Sequence, residues 1–131
     1  MTKQRIDLEH ELRSTSANLV WRLISTAEGY ANWLADTVTG NGDDLTFTWG
    51  DETRHHETRT ARFVVREKQH RARFHWTDDP DSAYVELRME RSTLSRNYTL
   101  YITDFADDDD TDWLYSTWEK NLKRLHKTSG V

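Results

Sequence analysis

The sequence contains no cysteine, which excludes disulfides and thiolate metal sites. It has one proline and five glycines in 131 residues. That is too few for a collagen-like or low-complexity chain. No apolar run approaches the roughly 20 residues of a membrane span. The first residues, Met1 to Arg5, lead into a strand and not into an apolar signal segment. These absences predict a cytoplasmic protein with no membrane insertion. Positive charge is short as well: net charge is −5 at pH 7, a sign that opposes general nucleic-acid binding. Arginine outnumbers lysine 13 to 5, and aspartate outnumbers glutamate 14 to 9. A GC-rich genome or a salt-adapted proteome explains those ratios, and neither informs function.

What is present is core material. Six Trp, five Tyr and four Phe supply bulk for one domain spanning residues 1–131. Residues 5–13 alternate, with Ile6, Leu8, His10 and Leu12 on one face, as in a half-buried strand. Thr15 or Ser16 then caps a helix carrying Leu19, Val20, Trp21, Leu23 and Ile24. Ser25-Thr26 interrupts it, and a second short helix holds Tyr30, Trp33 and Leu34. Asn41-Gly42 marks a turn between strands 36–39 and 44–49. Long strands follow near 53–67, 70–77 and 83–92, the first two with Ala61, Phe63 and Val65, then Ala72, Phe74 and Trp76 facing inward. The third aligns Val85, Leu87 and Met89, and Asp78-Asp79-Pro80-Asp81 makes a turn before it. The last strand, near 97–105, aligns Tyr98, Leu100, Ile102 and Asp104. A helix near 110–127 carries the stripe Leu114, Trp118, Leu122 and Leu125. A sheet with one apolar face needs a cover, and this helix has the stripe to be that cover. The phasing buries Trp118 and leaves Trp113 more exposed.

The segment Ser16-Ala17-Asn18-Leu19-Val20-Trp21-Arg22-Leu23-Ile24-Ser25-Thr26, followed by Gly29 and Trp33, resembles the START-like superfamily of polyketide cyclases and lipid-transfer proteins. Phe47-Thr48-Trp49-Gly50, Arg73-Phe74-His75-Trp76 and Thr99 to Phe105 extend the resemblance over about residues 5–127. It is strongest toward small bacterial START-like proteins and the branch that includes co-chaperones activating a large heat-shock ATPase. The resemblance implies an α+β helix-grip fold. In it a curved antiparallel sheet of about seven strands holds a long C-terminal helix across its concave face, with two short helices after strand 1. It also implies a ligand place between sheet and helix.

On that expectation the pocket floor comes from Phe63, Phe74, Trp76, Leu87 and Leu100, with Trp118 above, and the polar contacts come from His10, Glu57, Arg59 and Tyr98. A few polar groups in an apolar wall suit an apolar body with one polar end. A carboxylate would suit the Arg59 fork, unless Glu57 already neutralises it. Competing readings stand beside each residue. His10 reads first as a hydrogen-bonded core histidine. His55, Glu57 and Arg59 read first as an ion-paired rim, and a bulge before Ala61 would reverse their face. Asp104 reads as a strand-end cap. Arg71, Arg73 and Arg88 read as cross-strand partners of Glu86 and Glu90.

No metal site is expected, since His55 and His56 point to opposite faces. The acidic run Asp107 to Asp110 offers Asp112 where a calcium loop needs Gly and Trp118 where it needs Glu. It reads instead as a cap for the last helix. No nucleophile elbow, phosphate loop or dinucleotide fingerprint occurs, so no catalytic residue and no cofactor are assigned. The leading expectation is non-catalytic binding of a hydrophobic small molecule or lipid. The alternative is a protein-interaction or co-chaperone-like module with a dry core, and a cyclase-like enzyme ranks third. Oligomeric state and ligand identity are not read from the sequence.

Overall fold

The computed structural model describes residues 3–51, 53 and 56–131. His55 lies outside the described residues. The chain runs β1 (Gln4–Glu11), α1 (Ala17–Ser25), α2 (Ala27–Tyr30), β2 (Thr37–Asn41), β3 (Asp44–Gly50), β4 (His56–Glu67), β5 (Arg71–Trp76), β6 (Val85–Arg91), β7 (Tyr98–Ala106) and α3 (Thr111–Ser129). The strands form one antiparallel sheet in the order β1-β7-β6-β5-β4-β3-β2. The two helices after β1 carry the chain from one sheet edge to the other, and α3 covers the concave face. This is the expected helix-grip architecture.

Local chemistry explains the helix boundaries. Ser16 caps α1 by accepting from the Leu19 backbone N–H. Thr26 ends α1 and starts α2 together: its hydroxyl donates to the Arg22 carbonyl at 2.7 Å and accepts from the Gly29 N–H at 2.9 Å. Gly29 lets the two helices touch. A Cβ there would lie 2.0 Å from the Arg22 carbonyl oxygen. Trp33 then packs back, its indole N–H donating to Leu23 O at 3.0 Å. The hairpin turn falls on Gly42-Asp43, one residue later than the sequence suggests, because Asn41 pairs with Asp44 and Gly42 takes the positive φ.

The inner face holds Leu45, Phe47, Ala61, Phe63, Ala72, Phe74, Val85, Leu87, Met89, Leu100 and Ile102, all buried. One alignment differs. The β4–β5 register shifts between Phe63 and Val65, so Val65 pairs with the outward Arg73 and leaves the inner face. Arg66 takes the inward side, its guanidinium 4.3 Å from the Phe63 ring and paired with Asp43. The bulge lies after Phe63, so Glu57 and Arg59 keep the inner face. Outside, Glu86 pairs with Arg73 at 2.9 Å and Arg71 at 3.4 Å, as expected, whereas Arg88 stacks over Tyr101.

In α3, Trp118 is 4% exposed and meets Trp33 edge-on at 5.8 Å, while Trp113 is 67% exposed. The acidic run does not cap this helix through its side chains: Asp110 occupies the N-cap without a side-chain hydrogen bond. Two substitutions test these contacts by urea unfolding. Trp118→Ala should cost about 3–5 kcal/mol, as for other core aromatics. Gly29→Ala should cost about 3 kcal/mol, the upper end for overpacking, because backbone rather than a movable side chain stands in the way.

Candidate functional site

Between α3 and the concave face lies a cavity of about 270 Å³. That is near the lower end, roughly 300 Å³, of small-molecule sites. Its walls are aromatic. Phe47 and Trp49 come from β3, Phe74 and Trp76 from β5, Trp113 and Trp118 from α3. Strand alternation puts the first four on one face, and antiparallel pairing brings them together. Phe47 meets Trp76 at 4.9 Å, and Phe74 meets Trp76 at 5.3 Å with the rings perpendicular. Trp49 stays in place because its indole N–H donates to Leu34 O at 2.9 Å. Trp113 and Glu57 are exposed and border the open end.

Three charged side chains line the space: Glu57, Arg59 and Asp104. Arg59 stacks 4.1 Å above the Trp76 ring. Its partner is Asp78 at 2.8 Å, with Asp79 at 3.7 Å, and not the Glu57 that the sequence offered. This bond holds the Asp78 carboxyl below its ordinary range.

Asp104 is the group that sequence reasoning missed. Alternation placed it inward, but its position at the strand end suggested a cap. It is 8% exposed, and it is the one acidic side chain buried among the described residues. Each carboxylate oxygen takes a donor. The Trp118 indole N–H bonds Oδ2 at 2.9 Å, and the Phe105 backbone N–H bonds Oδ1 at 2.7 Å. Burial pushes its pKa up to about 6, helped by the nearby Asp79 charge and opposed by those two bonds and by Arg59.

The predicted pocket residues divide. Glu57, Arg59, Phe74, Trp76 and Trp118 line the cavity. Phe63, Leu87, Leu100 and Tyr98 are packed in the core and do not. Tyr30 of α2 fills the concave face beside Phe63, 6.1 Å from it and 5.5 Å from Phe74, which confines the open space to the other end. His10 faces a different hollow, between β1 and α3, of about 520 Å³. Partial burial and the neighbouring His126 hold its pKa below the ordinary value. That hollow is larger, yet its walls include Glu11, Arg13, Glu119 and Lys123, all exposed. They make it a solvated surface groove rather than a ligand cavity. Among the described residues, no three His, Asp or Glu side chains cluster as metal ligands would, and no helix is long and apolar enough to cross a membrane.

A curved antiparallel sheet closed on a long helix, with an aromatic cavity between them, defines a helix-grip domain. The sequence model of the START-like superfamily domain matches residues 1–131, and the chain belongs to that superfamily. Its members often bind hydrophobic ligands or are cyclase-like. The chain is similar to the Bacteroides fragilis protein BfR322, solved in solution, at 37% identity over 98% of this chain and 92% of that one, with a TM-score of 0.64. Its fold is also shared by DynU16 from the dynemicin biosynthetic locus, at 15% identity and a TM-score of 0.75, covering 96% of this chain and 48% of that one. The Aha1 dimer from Colwellia psychrerythraea matches at 13% identity over 95% and 93%, with a TM-score of 0.64. No curated protein matches the sequence.

The raised pKa of Asp104 makes a pH prediction. The folded state binds a proton more tightly than the unfolded chain, so it carries the extra proton between about pH 4 and pH 6. The Asp104 contribution to stability is therefore fully present below that window and is lost as pH rises through it. A rise from 3.8 to about 6 corresponds to about 3 kcal/mol at most. Thermal unfolding of the protein and of Asp104→Asn across this range checks it. The difference between them should slope against the native protein as pH rises, and a flat difference would contradict the assignment.

Proposed function

We propose that this domain is a non-catalytic binder of a small, mainly apolar molecule with one polar end, held between α3 and the concave sheet face. The observation that carries this reading is the cavity itself, walled by six aromatic rings and touched by the charged groups Glu57, Arg59 and Asp104. Apolar walls with a few convergent polar groups are the usual make-up of ligand sites. At about 270 Å³ the cavity suits a compact occupant rather than a two-chain lipid. An interaction module with a dry, filled interior fits this space less well, although the fold is shared with the Aha1 dimer.

One observation favours a second reading. Asp104 titrates near pH 6 inside the cavity, as a general acid or base would. Both of its oxygens are already held by protein donors, and a holder of ligand orientation needs nothing more. Cyclase-like chemistry therefore ranks below binding.

Titration with compact aromatic and aliphatic compounds, followed by tryptophan fluorescence, tests the binding reading. A binder should shift the emission, since four tryptophans line the space. Thr117→Trp places bulk into the cavity from a half-buried position on α3. It should abolish that response while thermal stability stays close to native. An unchanged response in the filled variant would remove the cavity from consideration.

A further inference from the structure

Charge around the cavity is one-sided. Glu57 and Asp104 line it, and Asp79, Asp107 and Asp110 line the small annex at its mouth, with Asp78 beside them. Against these carboxylates the same region offers only Arg59 and Lys3 among the described residues. Both cations are already engaged. Arg59 bonds Asp78 and lies flat on Trp76, and Lys3 bridges Asp79 at 3.3 Å and Asp107 at 3.5 Å. A ligand carboxylate would have to share Arg59 with Asp78 and Asp79 and would enter an acidic field. The surrounding carboxylates therefore oppose the ligand carboxylate that Arg59 suggested in the sequence.

The walls point the same way. Ring faces carry negative potential and attract cations, most strongly in tryptophan. Arg59 on Trp76 shows one ring of this cavity already holding a cation. Phe47, Trp49, Phe74, Trp113 and Trp118 supply further ring surface. Asp104 lies at the inner wall with one donor on each oxygen, and a carboxylate has about four acceptor positions, so it can take one more.

We propose that the cavity takes an amphipathic cation, a compact apolar body carrying a protonated amine that reaches the Asp104 carboxylate within the aromatic cage. This rests on the cavity reading and names its ligand class. The acidic mouth concentrates cations, the rings accept either the charge or the apolar body, and Asp104 fixes the amine end. Both Asp104 oxygens already hold a protein donor and keep an acceptor position free, and a protonated amine can fill that position with a charge-assisted bond.

The test uses three probes with one body: phenylpropylamine, phenylpropanol and phenylpropanoate. Calorimetry is run well above pH 6, where Asp104 is ionised. The amine should bind about tenfold tighter than the alcohol, the increment of a charge-assisted hydrogen bond, and the carboxylate should bind most weakly. Asp104→Asn should remove the amine's advantage and bring its affinity down to that of the alcohol. Asparagine has one acceptor oxygen for two protein donors, so that variant can fail to fold. Glu57→Gln, at an exposed position, then serves in its place and should lower the affinity of the amine alone. Equal affinities for the three probes, or a preference for the carboxylate, overturn the cation assignment and leave the cavity reading standing. No binding by any of the three at millimolar concentration overturns both.

Discussion

The hydrogen bond from the Trp118 indole to Asp104 ties the long helix to the sheet at the depth where the cavity begins. Trp118 sits mid-stripe on α3, and Asp104 sits on β7, a strand flanked by β1 and β6. A buried carboxyl without donors would carry a large desolvation penalty. Here the indole N–H and the Phe105 N–H answer its two oxygens. Removing the indole would leave Oδ2 of Asp104 without its donor as well as open a void, so packing and polar satisfaction are coupled at this one contact. Both partners of this contact also line the cavity.

The rest of the fold limits that gap. Thr26 and Gly29 bring α1 and α2 into close contact, and Tyr30 reaches from α2 onto Phe47, Phe63 and Phe74. Its hydroxyl donates to Ile24 O at 2.6 Å, so the ring is fixed. One end of the concave face is thereby filled by protein and the other end stays open as the cavity. A single apolar face thus serves as core at one end and as cavity wall at the other.

Much of this was legible in the sequence because it rests on period. Alternation placed Phe47, Trp49, Phe74 and Trp76 on one face, and the 3.6-residue stripe phased Trp118 inward and Trp113 outward. What was not legible depends on long-range placement. The bulge beside Val64 carries no local signal, since Val64 and Val65 both suit a strand, yet it sends Val65 outward and Arg66 inward. Arg59 finds Asp78 across 19 residues of chain, so the nearby Glu57 was the wrong partner to offer. Phe63, Leu87 and Leu100 share the face of the cavity residues, and only the position of Tyr30 and the helices decides which part of that face is open. Asp104 had the right parity, but its depth follows from where α3 lies.

The central claim is that the space under α3 is a ligand site. The most direct measurement follows the six indole N–H resonances in a nitrogen-edited proton spectrum during titration with phenylpropanol, a neutral probe blind to charge. Trp49, Trp76, Trp113 and Trp118 line the cavity, whereas Trp21 and Trp33 do not. The account predicts that the first four signals move together and saturate, with Trp118 reporting through its bond to Asp104, while Trp21 stays in place. Movement of Trp21 with silence from the cavity indoles, or no movement at all, would contradict it.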